Sequence, residues 1–268
     1  MNEVQSNKHA WSQVSEDHYH AFKERYAHDT HHLNSVIVDE LGDLSAKRIL
    51  HLQCNTGADT IALAKLGAAH VVGVDLVPQN VMFAQRLADD LGIKNVSFIE
   101  SDIMTLMDHH HDTYDLVFTS EGAIGWLPDL DVWAKTIRFF LKPSGHFYAF
   151  DSHPVLLMLD ETKLKDDITE VKYPYFGKIP ECSDSIGGYA SPEKHGVEAY
   201  FWNYTVGDLI NKLTNVGLHI EFFHEFPELF YDLGDMVESP ISGLMSYPHN
   251  PNRYPLSFSL LASVYPGR

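Results

Sequence analysis

From Lys47 onward the chain alternates short apolar runs with amphipathic stretches, reading RILHL, ADTIALAKLGA, HVVGVDL, PQNVMFAQRLADDLG and VSFIE. Apolar runs this short, bounded by turn signals and separated by helical periodicity, predict βαβ units and a parallel sheet covered on both faces. Tyr114 to Thr119 continues the pattern as a fourth strand, Asp129 to Leu141 as a helix, and Gly145 to Phe150 as a fifth strand after the turn Lys142-Pro-Ser-Gly145. Val206 to Val216 reads as a helix stopped by Gly217, and His219 to Phe226 and Leu256 to Val264 as late strands.

Other segments interrupt this rhythm. Ala10 to about Glu40 carries Trp11, Tyr19, Phe22 and Tyr26 at helical spacing and predicts leading helices. Residues 152–200 are broken by Pro154, Pro174, Pro180, Pro192 and Gly187-Gly188, yet hold Tyr173, Tyr175, Phe176 and Tyr189. Aromatics in a long irregular stretch favour a packed cover over a linker. The Pro-rich stretch 227–255 is a second candidate cover. The expected organisation is leading helices over 1–35 and one domain over 36–268 with those two segments inserted in it.

Composition narrows the partners. With Lys+Arg 19 against Asp+Glu 37 the formal net charge is -18, which repels a polyanion unless the bases are clustered, and no such cluster is visible. The expectation is no nucleic-acid partner. Cys54 and Cys182 cannot make a disulfide framework, the first residues lack an apolar signal region, and no apolar run reaches the length of a membrane span. A soluble cytoplasmic chain without a membrane partner is expected.

In an open parallel sheet, ligands sit outside the carboxyl ends of the strands. The first strand turns into its helix through Leu52-Gln-Cys-Asn-Thr-Gly-Ala-Asp-Thr60. A dinucleotide site wants G-x-G-x-x-G there, so that backbone can approach a pyrophosphate. Gln53 and Asn55 stand in the first two places and only Gly57 remains, which suits a ligand without phosphates at this position. The second strand ends in Asp75, placed to accept from ribose hydroxyls, and the third leads into Ser101-Asp102-Ile103, a carboxylate for an adenine amino group and an apolar cover for its ring.

These turns, together with VFTSEGAIGWLPDLDVWA, LKPSGHFYAFDSHP and YFWNYTVGDLINKLTNVGLHIEFFHEFP, resemble the class I S-adenosylmethionine-dependent methyltransferases, closely over about 36–151 and in outline over 200–265. The resemblance is nearest to a bacterial small-molecule-type subgroup whose first turn reads His-Leu-Gln-Cys-His-Phe-Gly, with Asn55-Thr56 here in place of His-Phe. It implies a doubly wound, Rossmann-like seven-stranded α/β sheet with the last strand antiparallel, and S-adenosyl-L-methionine as cofactor. It also implies site roles. Gln53, Cys54, Asn55 and Gly57 would wrap the methionine part and ribose, with Asp59 and Thr60 close by. Asp75 and Leu76 would take ribose and adenine, Asp102 and Ile103 the adenine edge and face, and Ser120 and Glu121 would lie by the sulfonium and the acceptor.

Methyl transfer from a sulfonium is a direct displacement that depends first on alignment, and it needs a base only if the nucleophile sheds a proton. Candidate bases at the sheet edge are His153, Glu121 and Asp151. His153 is preferred for its near-neutral intrinsic pKa, while Asp151 reads better as a backbone-binding carboxylate. Trp126 and Trp133 read as packing at a helix start, Cys54 as a small packing group, and Tyr19, Tyr26, Tyr173, Trp202 and Phe230 as candidate walls of an acceptor pocket. No base-methylating Asn/Asp-Pro-Pro-aromatic run follows the fourth strand, and neither cysteine follows a proline, so a small-molecule acceptor is expected. The clusters His28, His31-His32 and His109–His111 lack a zinc motif and read as surface, so no metal is expected. The competing functions are a non-catalytic S-adenosylmethionine-binding protein and, from the same fold, an NAD(P)-dependent oxidoreductase.

Overall fold

The computed structural model describes residues 2–28, 32–177, 179–188, 190–249 and 251–264; His31 and Tyr189 lie outside them. Two helices lead, α1 (Glu3–His28) and α2 (Ser35–Leu41), the second capped by Asn34, whose side chain accepts from the Ile37 amide. The alternating core follows as β1 (Arg48–Leu52), α3 (Ala58–Lys65), β2 (His70–Asp75), α4 (Pro78–Asp90), β3 (Val96–Glu100), β4 (Tyr114–Ser120), α5 (Leu130–Phe140) and β5 (Leu141–Ser152). The segment after β5 is more ordered than its prolines suggest. It folds into two single-turn helices, α6 (Pro154–Leu157) and α7 (Glu161–Leu164), and two small antiparallel ribbons. One ribbon pairs β6 (Glu181–Ser183) with β9 (Ala199–Phe201), and the other pairs β7 (Ile186–Gly188) with β8 (Ser191–His195). Then come α8 (Val206–Asn215), β10 (Leu218–Phe226), the short pair β11 (Val237–Glu238) and β12 (Met245–Ser246), and β13 (Ser257–Val264).

The main sheet has seven strands in the order β10-β13-β5-β4-β1-β2-β3. β1 to β5 pair in parallel, and β13 is inserted antiparallel between β5 and β10. This is the doubly wound, Rossmann-like arrangement with an antiparallel last strand. The strand order reverses at β1, whose neighbours are β4 and β2, so the carboxyl ends of these strands flank a crevice.

Strand alternation separates two cores. Leu50, Leu52, Val72, Val74, Val117 and Phe147 face α5 and α8, while Ile49, Val71, Leu116, Phe118 and Tyr148 face α2 and α3. α5 is held at its start by Asp129, whose side chain accepts from the Asp131 and Val132 amides, and it buries Trp133 edge-on against Phe147 at 5.4 Å. α1 crosses the outside of α4, stacking Tyr19 on Phe83 at 5.2 Å. It is tied to the inserted ribbons at two places. Asn7 exchanges two hydrogen bonds with the Tyr200 backbone, and Ser191 donates to Asp17 at 2.6 Å. No described helix is long and apolar enough to cross a membrane.

Trp133 is only 1% exposed and its ring fills the α5 core. Trp133→Ala is expected to cost about 3–5 kcal/mol of unfolding free energy through the cavity it leaves. Urea unfolding that placed the loss under about 1 kcal/mol would refute this packing role.

Candidate functional site

The turn after β1 reverses direction through three left-handed residues, Gln53 (φ 57°), Asn55 (φ 49°) and Gly57 (φ 81°). Asn tolerates this region better than most side chains, and it is stapled there: its amide donates to Asp75 at 2.8 Å and its side-chain oxygen accepts from the Thr56 amide at 2.6 Å. Gly57 is required for a second reason. A Cβ there would lie 2.7 Å from the Ala84 Cβ and 2.9 Å from the Phe98 ring, so glycine lets α3 start against α4 and β3.

This turn opens on a cavity of about 620 Å³ at the carboxyl ends of the central strands. Ten of the residues expected at a cofactor or reaction site line it: Gln53, Cys54, Asn55, Asp59, Asp75, Leu76, Asp102, Ile103, Ser120 and Glu121. Gly57 and Thr60 stand behind the wall, in packing and in a hydrogen bond to His51 respectively. Trp126, Tyr173 and Phe230 line the cavity. Tyr19, Tyr26 and Trp202 do not, since Tyr19 packs on α4 and the Tyr26 hydroxyl donates to the Ala58 carbonyl at 2.7 Å.

Asp75 shows how the site is built. One oxygen accepts from the Asn55 amide, and the other from the Val77 amide and the Asn80 side chain, at 2.8–3.0 Å. Burial raises its pKa and these three donors oppose the rise. With about four acceptor positions on a carboxylate, Asp75 has room for roughly one more donor. Asp102 accepts from the Met104 amide at 2.9 Å beside the buried Ile103. Gln53 donates to the Ala123 carbonyl at 2.8 Å, while its Oε1 is buried with no hydrogen-bond partner among the described residues. An orphaned buried acceptor in a cavity wall asks for a ligand N–H.

The three candidate bases separate. Asp151 accepts from four backbone amides, those of Gly122, Ala123, Ile124 and Ser152, at 2.6–3.0 Å, and it is a loop anchor outside the cavity wall. His153 also stays out of the cavity: its Nδ1 accepts from the Val155 amide as the cap of α6, and its Nε2 lies 3.0 Å from Glu225. Pro154 at the first helical position makes this local capping favourable, which is why a histidine before a proline went to structure. Burial lowers the His153 pKa against the pull of Glu225. Glu121 alone of the three faces the cavity. Its backbone is left-handed (φ 41°), a conformation costing on the order of 1–3 kcal/mol that the anchored loop imposes.

Around Glu121 lies a network that the motif reading does not contain. His51 in mid-β1 bonds through Nδ1 to Thr60 at 2.8 Å and through Nε2 to Ser120 at 3.2 Å; Ser120 donates to Asp59 at 2.5 Å. His32 Nε2 is 3.4 Å from the other Asp59 oxygen, and Asn34 donates to Glu121 at 3.1 Å. Burial holds His18 neutral, down to about 4, and His32 and His51, down to about 3. Burial raises Asp59, opposed by Ser120 and Arg25, and it pushes Glu121 well up, helped by the nearby Asp59 charge. Cys54 is likewise pushed up by burial and remains a packing thiol. The one advance signal was His51 itself, a polar residue inside an otherwise apolar strand.

No group of three or more His, Cys, Asp or Glu among the described residues is arranged to hold a metal. His109 and His110 bond to Ser101 and Tyr114 at 3.1 and 2.6 Å.

Strand order and strand-end turns define a protein of the class I S-adenosylmethionine-dependent methyltransferase fold. A family model described as a methyltransferase domain matches residues 43–193, more than half of the chain, and the chain belongs to that family. A 23S rRNA uracil-C5 methyltransferase of Shewanella sediminis is 42% identical over 131 residues, covering 44% of this chain and 28% of that protein. A ubiquinone biosynthesis O-methyltransferase of Paracidovorax citrulli is 26% identical over 121 residues, 45% of this chain and 50% of that one. This chain thus spans half or less of those two curated relatives. Among solved structures, an S-adenosylmethionine dependent methyltransferase from Mesorhizobium loti matches with TM-score 0.55 and 19% identity over 85% of this chain and 96% of its own.

The neutral buried histidines generate a pH prediction. Folded His51 stays neutral to about pH 3 while an unfolded imidazole protonates near 6.5. Stability is therefore full above that pH and is lost as pH falls below it, at roughly 1.4 kcal/mol per pH unit for this residue. In urea unfolding at pH 7, 6 and 5, His51→Gln should change the acid slope by about that amount; an unchanged slope would mean that His51 titrates in the native state.

Proposed function

We propose that the protein is an S-adenosyl-L-methionine-dependent methyltransferase acting on a small-molecule acceptor. The observation that carries this reading is the single cavity wall formed by the three strand-end turns, which bring Gln53 and Asn55, Asp75 and Leu76, and Asp102 and Ile103 around one space. Together they suit an adenosyl group whose remaining substituent lacks a phosphate. Asp75 accepts from the ribose, Asp102 and Ile103 take the adenine edge and face, and the free Gln53 oxygen receives a donor from the methionine part.

When bound, S-adenosylmethionine supplies a methyl group already activated by a positive sulfur. The chain then has to align an acceptor and keep water away. Trp126 fixes one wall by edge contacts to Trp11 and Phe201 at 5.2 and 5.1 Å, and Tyr173 and Phe230 from the two inserted covers form another. Phe201 approaches because residue 125 is glycine: a Cβ there would sit 1.9 Å from its ring. Such a concave, partly aromatic wall suits a small molecule better than a polymer, and the acidic chain disfavours a polyanion. Glu121 is the carboxyl group positioned beside the acceptor.

Titration calorimetry should show binding of S-adenosylmethionine and its demethylated product, with NAD giving none. Asp75→Asn should weaken both by about ten- to a hundredfold, the worth of a charged hydrogen bond of roughly 1.5–3 kcal/mol. Tight binding without methyl-donor turnover across a broad metabolite panel would favour a non-catalytic binder instead. Equal affinity for NAD would overturn the cofactor assignment.

A further inference from the structure

The half-buried carboxyls Asp59 and Glu121 share one wall of the cavity and are joined to the sheet through a chain of hydrogen bonds whose polarity can be read. Ser120 has one hydroxyl proton, and it goes to Asp59 at 2.5 Å. His51 Nε2 must then be the donor to Ser120, which leaves His51 Nδ1 as the acceptor of the Thr60 hydroxyl. Every proton in the series points toward Asp59. That arrangement favours the ionised form of Asp59 and places its charge against Glu121.

The groups facing Glu121 come from α1, α3, β5 and the loop before α2. Asp59 on α3 and Asp151 on β5 are negative and disfavour a second charge, whereas Arg25 on α1 favours it. Asn34, just before α2, donates to Glu121. Tyr148 on β5 is held neutral by burial. His32, close to Asp59, is neutral as well and supplies no cation. Two carboxyls in one cavity wall, with Arg25 the cation among the described residues that acts on both, oppose each other's ionisation.

We propose that the Asp59–Glu121 pair keeps one proton in the free protein and surrenders it to solvent when a sulfonium enters the cavity, so that Glu121 becomes a carboxylate only while the methyl donor is bound. This rests on the cofactor reading above. The incoming positive charge replaces the proton, and the cavity carries the same net charge in both states. An acceptor of matching class carries a proton on its nucleophile, a hydroxyl or an amine. The acceptor's electron pair makes the new bond to carbon, the carbon–sulfur pair remains on sulfur, and the acceptor's proton passes to Glu121, restoring the resting pair beside a neutral thioether. The device also distinguishes donor from product, because S-adenosylhomocysteine has no sulfonium charge to displace the proton. His51 is a positioning residue in this scheme, acting through Ser120 on Asp59.

The test is calorimetric titration of the full chain with S-adenosylmethionine and S-adenosylhomocysteine at pH 7 in two buffers of different ionisation enthalpy, which counts protons exchanged on binding. The two ligands share their amino-acid part, so the difference between their counts isolates the sulfonium. The donor should release close to one proton more than the product does. Glu121→Gln should erase that difference while retaining product affinity, which shows that the variant is folded. Asp59→Asn, by lifting the charge that keeps Glu121 protonated, should reduce the difference as well. Equal proton counts for both ligands in the unaltered protein would overturn the proposal, as would a Glu121→Gln protein that still shows the full difference. Binding of neither ligand would instead reject the cofactor reading, and this inference with it.

Discussion

The site depends most on one carboxylate that lies outside the cavity wall. Asp151, near the end of β5, accepts four backbone amides, three of them from the loop that leaves β4. Hydrogen bonds to a charged acceptor contribute roughly 1.5–3 kcal/mol each, and in a buried position they are hard to replace. Their first effect is local: Glu121 and Gly122 are held in left-handed backbone, with Glu121 further tied through its amide to the Phe150 carbonyl at 2.7 Å. A bulky side chain is thereby turned into the cavity instead of continuing the strand. The second effect spreads outward. Ile124 to Trp126 becomes a short 3-10 turn, Gly125 admits the Phe201 ring, and the Gly125 carbonyl receives the Trp202 amide at 2.7 Å. The inserted cover is thus seated on a loop whose shape is set by the sheet.

A comparable coupling joins the cofactor half of the cavity to α1. Asp75 accepts from Asn80, and the Asn80 side-chain oxygen accepts from Ser15 on α1 at 2.6 Å. Asn55 contacts His18 on the same helix at 3.3 Å. A helix that lines the cavity therefore bonds directly to Asn55 in the first strand-end turn and, through Asn80 on α4, to Asp75 at the second. Ligand contacts with Asp75 or Asn55 and the seating of α1 are linked through shared atoms, which gives a physical route for cofactor binding to order the wall around the acceptor.

What could be read in advance follows from locality. Strand periodicity and the turns after β1, β2 and β3 are properties of neighbouring residues, so the central strands and ten cavity-lining positions were legible in the chain. The residues that complete the site were not, because each depends on contacts across long stretches of sequence. His51 acquires meaning only when Ser120 and Asp59 arrive beside it, and Arg25 and His32 only when α1 and the start of α2 fold over the turn. His153 is the converse case. Its residue type and its place after β5 suggested a base, but the amide of Val155, two residues along, captured its ring as a helix cap. Local capping fixes where that ring lies.

The acidity of the chain takes on a sharper meaning at this scale. Most of the -18 formal charge can be solvated, but Asp75 and Asp151 are buried, and Asp59 and Glu121 are half-buried in the cavity wall. Asp75 and Asp151 are each satisfied by at least three donors of the chain itself and so stand as fixed negative dipole partners of the backbone. Asp59 and Glu121 are satisfied less fully, with Ser120 and Asn34 as their closest donors. Burying a carboxyl that its surroundings do not neutralise is costly unless it keeps its proton or meets a cation. Within one cavity the fold has therefore separated acids that build the site from acids that remain responsive to whatever charge enters it.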